Sequence, residues 1–176
     1  MSPCFFPPLD RLVSIRKLFK KWKWIVLVVV FSLFYIFNYK IVYSQGTSMK
    51  PTINDGALFV VKKRYYKSNP IERFDIVVIA DEQQGGEYIT KRVIALEGEK
   101  VEIVDGNIFV NDMLIKDRFS SSKISFLLYK GKQMNIDEKP FIVPSGSIWV
   151  IGDNRTSSHY GVYSCKDVIG RVGLLI

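Results

Sequence analysis

Two residues of this chain have the chemistry of a nucleophile and its base, a serine beside a proline-containing segment and a lysine within an apolar strand. The serine is Ser48, in the segment GTSMKPT at residues 46–52. Its hydroxyl can attack a carbonyl carbon once a neighbouring base removes the proton. Pro51 restricts the backbone before it, which favours a rigid, extended presentation of the segment. Taken alone, the same residues also fit an ordinary turn.

The usual base for a serine is histidine, but this sequence has only one, His159. Lysine is the other candidate for the base. A buried lysine can act as a base, since desolvation disfavours the charged ammonium and lowers its pKa. Lys91 lies in the alternating segment YITKRVIALEG, where it shares a strand face with Ile89 and Val93. By itself the pattern also fits a lysine that protects an edge strand from aggregation.

A third polar segment follows a predicted strand, IWVIGDNR at residues 148–155. The strand ends in residues typical of turns, and Asp153, Asn154 and Arg155 can brace a loop through side-chain hydrogen bonds. On its own this segment would be a plain β-turn.

An N-terminal membrane segment precedes these residues. Residues 24–37 carry no charge, and the stretch to Tyr43 can complete a span of ~20 residues if Lys40 snorkels outward. Residues 1–23 hold six basic residues and one acidic residue, which predicts a cytoplasmic N-terminus. The alternative is a cleaved secretory signal, but Ser44-Gln45-Gly46 is a poor cleavage site and lies beside Ser48.

The rest of the chain reads as β-rich, with short β-branched and aromatic runs separated by turn signals. Asp105-Gly106 predicts a tight hairpin, and Asn111-Asp112 predicts a second turn. Residues 117–139 are polar and serine-rich, which indicates an excursion between strands: a lid, a small hairpin or a surface loop.

Composition limits the other classes of function. The net charge of +8 is concentrated before the apolar run, which favours a membrane over a nucleic-acid partner. Cys4 and Cys165 are too few and too distant for a disulfide framework, and a single histidine excludes zinc sites built on several histidines.

The three segments, in this order and after an anchor, resemble type I signal peptidases, the bacterial leader peptidase family with a Ser-Lys dyad. The resemblance covers residues 24–176 and is closest to the compact members of Gram-positive bacteria. The matching boxes are Ser-Met-x-Pro-Thr at 48–52, Arg-Gly-Asp-Ile-Val at 73–77 with Phe74 in place of glycine, Lys-Arg-Val-Ile-Gly at 91–95 with Ala95 in place of glycine, Gly-Asp-Asn-Arg at 152–155 and Gly-Arg at 170–171.

The resemblance implies a mostly β fold, with a transmembrane helix followed by an antiparallel catalytic domain. It implies that Ser48 attacks the scissile carbonyl, that Lys91 takes its proton, and that the Ser48 N–H binds the oxyanion. Met49 would help to form the pocket for the side chain before the cut. Ser158 would hold the lysine amine, and Arg92 and Asp153 would support the site. No metal or cofactor is implied.

The chain departs from the family pattern after Arg155. The best alignment keeps Ser158 and sets His159-Tyr160-Gly161 against an aromatic pair and glycine, so that about four residues, including Asp-Ser-Arg, are missing. These residues brace the site in relatives. We interpret His159 as a structural aromatic substitute rather than a base.

The expected domains are a basic cytoplasmic segment (1–23), a transmembrane anchor (24–43) and an extracytoplasmic catalytic β-domain (44–176). The expected function is removal of signal peptides from secreted preproteins at the cell membrane, after small residues. The preproteins and the lipid bilayer are the expected partners, and nucleic acid is not. Two alternatives remain open, a non-catalytic or dedicated assembly factor for surface proteins such as pili, and an anchored β-domain of unrelated function.

Overall fold

The computed structural model describes residues 9–81, 87–116, 118–120, 123–127 and 133–175. The chain divides between residues 38 and 39 into two units. The first unit contains one helix, α1 (Leu9–Asn38), and the second contains the strands.

Helix α1 is long and apolar enough, by length and composition, to cross a membrane. Its most apolar part, Lys21–Asn38, has a mean hydropathy of 1.5 over 18 residues. The sequence prediction extended the anchor to Tyr43, and this was wrong: the helix ends at Asn38, and residues 39–43 form strand β1 (Tyr39–Tyr43). The reason is that β1 pairs along its whole length with β2 (Leu58–Lys62), which satisfies its backbone polar groups.

The second unit is mostly antiparallel β-structure, as predicted. Its further strands are β3 (Ile76–Asp81), β4 (Glu87–Ala95), β5 (Lys100–Val104), β6 (Asn107–Val110), β7 (Met113–Leu114), β8 (Ser125–Leu127), β9 (Gln133–Asn135), β10 (Glu138–Ile142), β11 (Ser147–Ile151), β12 (Tyr160–Ser164) and β13 (Val168–Leu175). Seven of the described strands form one sheet in the order β1-β2-β13-β3-β4-β11-β12, and a smaller sheet has the order β10-β5-β6-β7.

Three buried apolar clusters support the sheets. The one that bears on the site comprises Val77, Ile79, Val93, Ile148 and Val150, from adjacent strands β3, β4 and β11. All five are almost completely buried. Their strands occupy the centre of the large sheet, so this cluster fixes the register of β4, which carries Lys91.

Both predicted turns are confirmed. Asp105 and Gly106 have φ of 47° and 72° and connect β5 to β6, while Asn111 and Asp112 have φ of 51° and 64° and connect β6 to β7. Two consecutive positive φ angles give a turn whose twist matches that of the flanking strands. In the predicted excursion, β8 and β9 pair antiparallel. Residues 117, 121–122 and 128–132 of the excursion lie outside the described residues.

Candidate active site

Ser48 lies in the turn that follows β1, and Asn154 holds this turn in place. The Asn154 N–H donates to the carbonyl oxygen of Ser48 at 2.9 Å. The Asn154 side-chain amide donates to the carbonyl oxygen of Thr47 at 3.1 Å. Two peptide planes on the N-terminal and C-terminal sides of the Ser48 Cα are therefore anchored to the loop after β11.

Lys91 is a buried cation in the centre of the large sheet. Its residue is 5% exposed, and it lies directly opposite Val77 on β3. Burial lowers the pKa of Lys91 from 10.5 to about 8, although the Asp81 carboxylate opposes this shift. A substantial fraction of Lys91 is therefore neutral at mildly alkaline pH, and a neutral amine has a lone pair that can accept a proton.

Ser158 connects Lys91 to the loop after β11. Its Oγ accepts a hydrogen bond from Lys91 Nζ at 2.8 Å and another from the Gly152 N–H at 2.9 Å. Its own proton goes to the carbonyl oxygen of His159, at 3.1 Å. Because both of its acceptor positions are used, Ser158 holds Lys91 as a donor and leaves the amine lone pair available for another group.

Ser48 and Lys91 line the same cleft, which has a volume of about 520 Å³. Met49 also lines it and is 3% exposed, packed with Ile53 and Phe59. Among the described residues, no hydrogen bond joins Ser48 Oγ to Lys91 Nζ. Hydrogen bonds between catalytic groups are often long before substrate binds, so this separation is compatible with a nucleophile and its base.

Two strand edges that have no pairing partner among the described residues border the cleft. One wall contains Val42 and Tyr43 of β1, the edge strand of the large sheet, whose described pairing is with β2. The other wall is the stretch from Glu87 to Lys91 of β4, where the described pairing with β11 starts only at Arg92. Backbone groups along both walls can therefore pair with an extended peptide.

A buried ion pair lies beneath the site. Arg92 donates from Nε to Asp153 Oδ1 at 2.7 Å and from Nη2 to Oδ2 at 2.6 Å. Thr52 donates its hydroxyl proton to the same carboxylate. The side chains of Arg92 and Asp153 are 3% and 0% exposed. The pair thus joins the Ser48 turn, strand β4 and the loop after β11, which are the three elements that carry the candidate residues.

Comparisons with known proteins agree with this arrangement. The sequence profile of the family described as "Signal peptidase, peptidase S26" matches residues 15–176. The chain belongs to this family. It is 32% identical to signal peptidase I of Bacillus caldolyticus over 162 residues, covering 87% of each chain. It is 30% identical to signal peptidase I of a Streptococcus pneumoniae serotype 4 strain over 193 residues, covering 89% of this chain and 92% of the relative.

Among solved structures, a signal peptidase I of Enterococcus faecalis V583 is 24% identical. The likeness covers 60% of this chain and 98% of that one, with a TM-score of 0.47. Membership of the signal peptidase family makes the chain a serine endopeptidase. The apolar helix α1 is consistent with the membrane anchor of this family.

The Ser48 N–H is the backbone donor that the family resemblance assigned to the oxyanion. Within the described residues this N–H has no hydrogen-bond acceptor. Some signal peptidases add a hydroxyl two residues earlier, where this chain has Gly46. Gly46 has a φ of 95°, and its N–H donates to Asp55 Oδ1 at 2.8 Å. A serine at this position would be strained at this φ.

Phe74 occupies a position where the signal peptidase pattern has glycine. Its φ is 72°, a conformation that glycine adopts freely and bulky residues avoid. The backbone is held by hydrogen bonds from Phe74 N to the Val93 carbonyl at 2.8 Å and from Arg92 Nη1 to the Phe74 carbonyl at 2.9 Å. The phenylalanine is tolerated because its ring packs against the core.

The shortened loop after Arg155 still positions Ser158 against Lys91. Arg155 braces the loop: it is 5% exposed, and its Nε donates to the Gly152 carbonyl at 3.1 Å. The His159 side chain is exposed, and its contact with Ser158 is made by its backbone carbonyl.

Sequence reasoning missed two residues of the site. Asp81 is 2% exposed and lies on the same face of the sheet as Lys91, because Val77, Ile79 and Asp81 alternate along β3 opposite Lys91, Ile89 and Glu87. The sequence feature that could have revealed Asp81 is the presence of an acidic residue at the end of an apolar run. Gly152 is the second, since a Cβ there would overlap both Ser158 Oγ and the Ser48 carbonyl. The sequence feature that could have revealed the role of Gly152 is its position in the Gly-Asp-Asn-Arg motif.

Proposed function

We propose that this peptidase removes N-terminal signal peptides from secreted preproteins, cutting after small residues with Ser48 as nucleophile and Lys91 as general base. The observation that carries the proposal is the buried Lys91, whose pKa is lowered to about 8 and which lines one cleft with Ser48. A lysine in this state can accept a proton, and the nearby hydroxyl is the group that needs to lose one.

The substrate would bind as an extended strand between β1 and the free part of β4. Pairing with the backbone of both walls gives affinity that is independent of side chains, which suits signal peptides of varied sequence. The buried Met49 leaves little room at the residue before the cut, which favours a small side chain there.

In the first step Ser48 Oγ attacks the scissile carbonyl carbon while Lys91 Nζ takes the hydroxyl proton. The Ser48 N–H stabilises the negative oxygen of the tetrahedral intermediate. Lys91 then gives its proton to the leaving nitrogen, the C–N bond breaks, and an ester joins the signal peptide to Ser48. In the second step Lys91 takes a proton from water, which attacks the ester carbonyl. Lys91 then gives this proton to Ser48 Oγ as the ester bond breaks, which releases the signal peptide and restores both residues.

The proposed topology has the N-terminus in the cytoplasm and the catalytic unit outside. Six basic residues before position 24 support this orientation. The anchor would keep the enzyme in the membrane that also holds the apolar segment of the substrate, which raises their effective concentration.

The test is cleavage of a preprotein with an Ala-x-Ala site by the full chain in detergent micelles. Cleavage after the second alanine is expected from wild type and not from Ser48→Ala or Lys91→Arg, because a guanidinium stays protonated. Cleavage by Ser48→Ala would contradict the assigned nucleophile. No cleavage by any form would favour the non-catalytic assembly role.

A further inference from the structure

The buried guanidinium of Arg92 has an aromatic partner in addition to its hydrogen-bond acceptors. Its hydrogen bonds lie along the edge of the planar group, where Nε and Nη2 donate to Asp153 and Nη1 donates to the Phe74 carbonyl. The faces of a guanidinium form no hydrogen bonds and are weakly hydrated, so they can stack on aromatic rings. One face of Arg92 lies against the ring of Phe119, with 3.5 Å between Cζ and the ring centroid. This contact is a cation–π interaction.

Phe119 belongs to the polar excursion at residues 117–139 and lies outside the strands that carry the candidate residues. Its side chain is half-buried, and its ring centroid lies 5.8 Å from that of Phe74, with 51° between the ring planes. Phe74 is the residue that stands where the family pattern has glycine. The excursion therefore contacts the large sheet through a ring that touches both Arg92 and Phe74.

The Phe119 ring covers a cation that is almost completely buried, since the Arg92 side chain is 3% exposed. Loss of the ring would open one face of the guanidinium to water. An ion pair weakens when water reaches it, because the effective dielectric constant rises. Phe119 thus helps to keep the pair of Arg92 and Asp153 in a single geometry.

Asp153 transmits this geometry to the Ser48 turn by two routes. Thr52, in the same turn, donates its hydroxyl proton to the Asp153 carboxylate. Asn154 follows Asp153 in the chain, and its N–H donates to the Ser48 carbonyl at 2.9 Å. Its side-chain amide donates to the Thr47 carbonyl at 3.1 Å. A shift of the ion pair would therefore move the nucleophile, and a displacement of ~1 Å can lower a rate by about 10²-fold.

We propose that Phe119 is a positioning residue for peptide cleavage: its ring covers Arg92, fixes the pair of Arg92 and Asp153, and through this pair holds the Ser48 turn. This inference rests on the proposed function, since it takes Ser48 as the nucleophile. Phe119 acts through Arg92 and does not itself touch the substrate.

The first test is steady-state cleavage of a peptide with an Ala-x-Ala site by variants of Phe119 in the full chain, in detergent micelles. Phe119→Ala should lower kcat by about tenfold and change KM less than about twofold, because the turn acts on the transition state while the cleft binds the substrate. Phe119→Tyr retains the ring and should stay within about twofold of wild type, whereas Phe119→Leu covers the cation without a π face and should lose about threefold. An unchanged kcat of Phe119→Ala, or equal rates of the Leu and Tyr variants, would overturn the role of the ring.

Tyr65→Ala is the matched control, because it also removes an aromatic ring from an arginine. The Tyr65 ring lies 4.8 Å from Cζ of Arg171, whose side chain is 35% exposed and pairs with Asp75 at 2.9 Å. The described partners of Arg171 are thus outside the Ser48 turn. Tyr65→Ala should change kcat less than about twofold. A loss as large as that of Phe119→Ala would show that such rings act only on the fold and would overturn the proposal.

Hydrogen exchange separates this inference from the proposed function, because it requires no cleavage. In a Ser48→Ala background, Phe119→Ala should speed exchange of the Asn154 amide, which bonds the carbonyl of residue 48, by about tenfold or more. The amide of Cys165, which bonds the Gly146 carbonyl at 2.8 Å, is the internal control and should change less than about twofold. Faster exchange of Asn154 alone, with a Ser48 chain that never cleaves, would refute the proposed function alone. Unchanged exchange of Asn154, or equal acceleration of both amides, would refute the role of Phe119 alone.

Discussion

Lys91 Nζ and Ser158 Oγ lie 2.8 Å apart, although their residues are separated by 67 positions in the chain. Ser158 has no remaining acceptor position, since the Gly152 N–H takes the other. Ser158 therefore orients the Lys91 amine but cannot itself accept a proton. The role of the base is left to Lys91.

Removal of the Ser158 hydroxyl should impair orientation of the base while leaving the base in place. We expect Ser158→Ala to lower kcat by about 10–100-fold, and Lys91→Ala by ~10³-fold or more, since general-base catalysis contributes about 10²–10⁴-fold. Ser158→Thr retains a hydroxyl and should recover part of the loss. Steady-state kinetics with a peptide substrate would measure this, with Ser68→Ala on the surface as control. Equal losses for Ser158→Ala and Lys91→Ala would contradict a purely orienting role.

The rate should rise with pH through the pKa of Lys91. With that pKa at about 8, kcat should increase between pH 6 and 9 and then level off. Asp81→Asn should shift the profile to lower pH, because the Asp81 carboxylate stabilises the ammonium and raises its pKa. Tyr163, which donates to Asp81 at 3.4 Å, stays neutral in this range since burial raises its pKa. A flat wild-type profile would exclude a lysine base.

Burial of a lysine should lower the stability of the folded state. Below pH 8 Lys91 is charged in both the folded and the unfolded chain, so the full cost of desolvating its ammonium lowers the free energy of unfolding. This cost disappears as the pH rises from about 8 towards 10.5. Lys91→Met should therefore raise the free energy of unfolding at pH 6 by about 1–3 kcal/mol. Thermal melting at pH 6 and 9.5 would measure this, with the exposed Lys166→Met as control. A destabilised Lys91→Met at pH 6 would contradict the argument.

The buried pair of Arg92 and Asp153 should tolerate loss of one partner poorly. Asp153→Ala leaves a guanidinium buried without its carboxylate, and we expect about 3–5 kcal/mol of destabilisation. The matched exposed pair joins Lys100 to Asp112, where Lys100→Met should cost less than about 1 kcal/mol. Denaturant melts of both variants make the comparison, and similar losses would refute it.

Gly152 should not tolerate a larger residue, because Ser158 and the Ser48 turn both pack directly against it. A Cβ in Gly152→Ala would overlap Ser158 Oγ and the Ser48 carbonyl, so we expect at least ~100-fold loss of kcat/KM. Gly161→Ala is the control, since its Cβ would meet only the Tyr163 ring at 3.7 Å. Near-normal activity of Gly152→Ala would show that the loop can move without consequence.

The sequence by itself determined the features that depend on neighbouring residues. The two turns followed from Asp105-Gly106 and Asn111-Asp112, and the face of Lys91 followed from the alternation of Ile89 and Val93. These patterns are local because φ preferences and strand periodicity act over a few residues. The order of the sequence motifs also predicted the family, because a comparison of motifs along the chain requires no knowledge of which strands pair.

Tertiary structure decided what distant elements do to one another. The helix ends at Asn38 because β2, some twenty residues later, pairs with residues 39–43. Asp81 influences Lys91 because the register of β3 and β4 places both on one face of the large sheet, and Glu138 reaches Tyr160 from a different sheet. Strand pairing and the packing of one sheet against another bring such residues together at separations that no local pattern records.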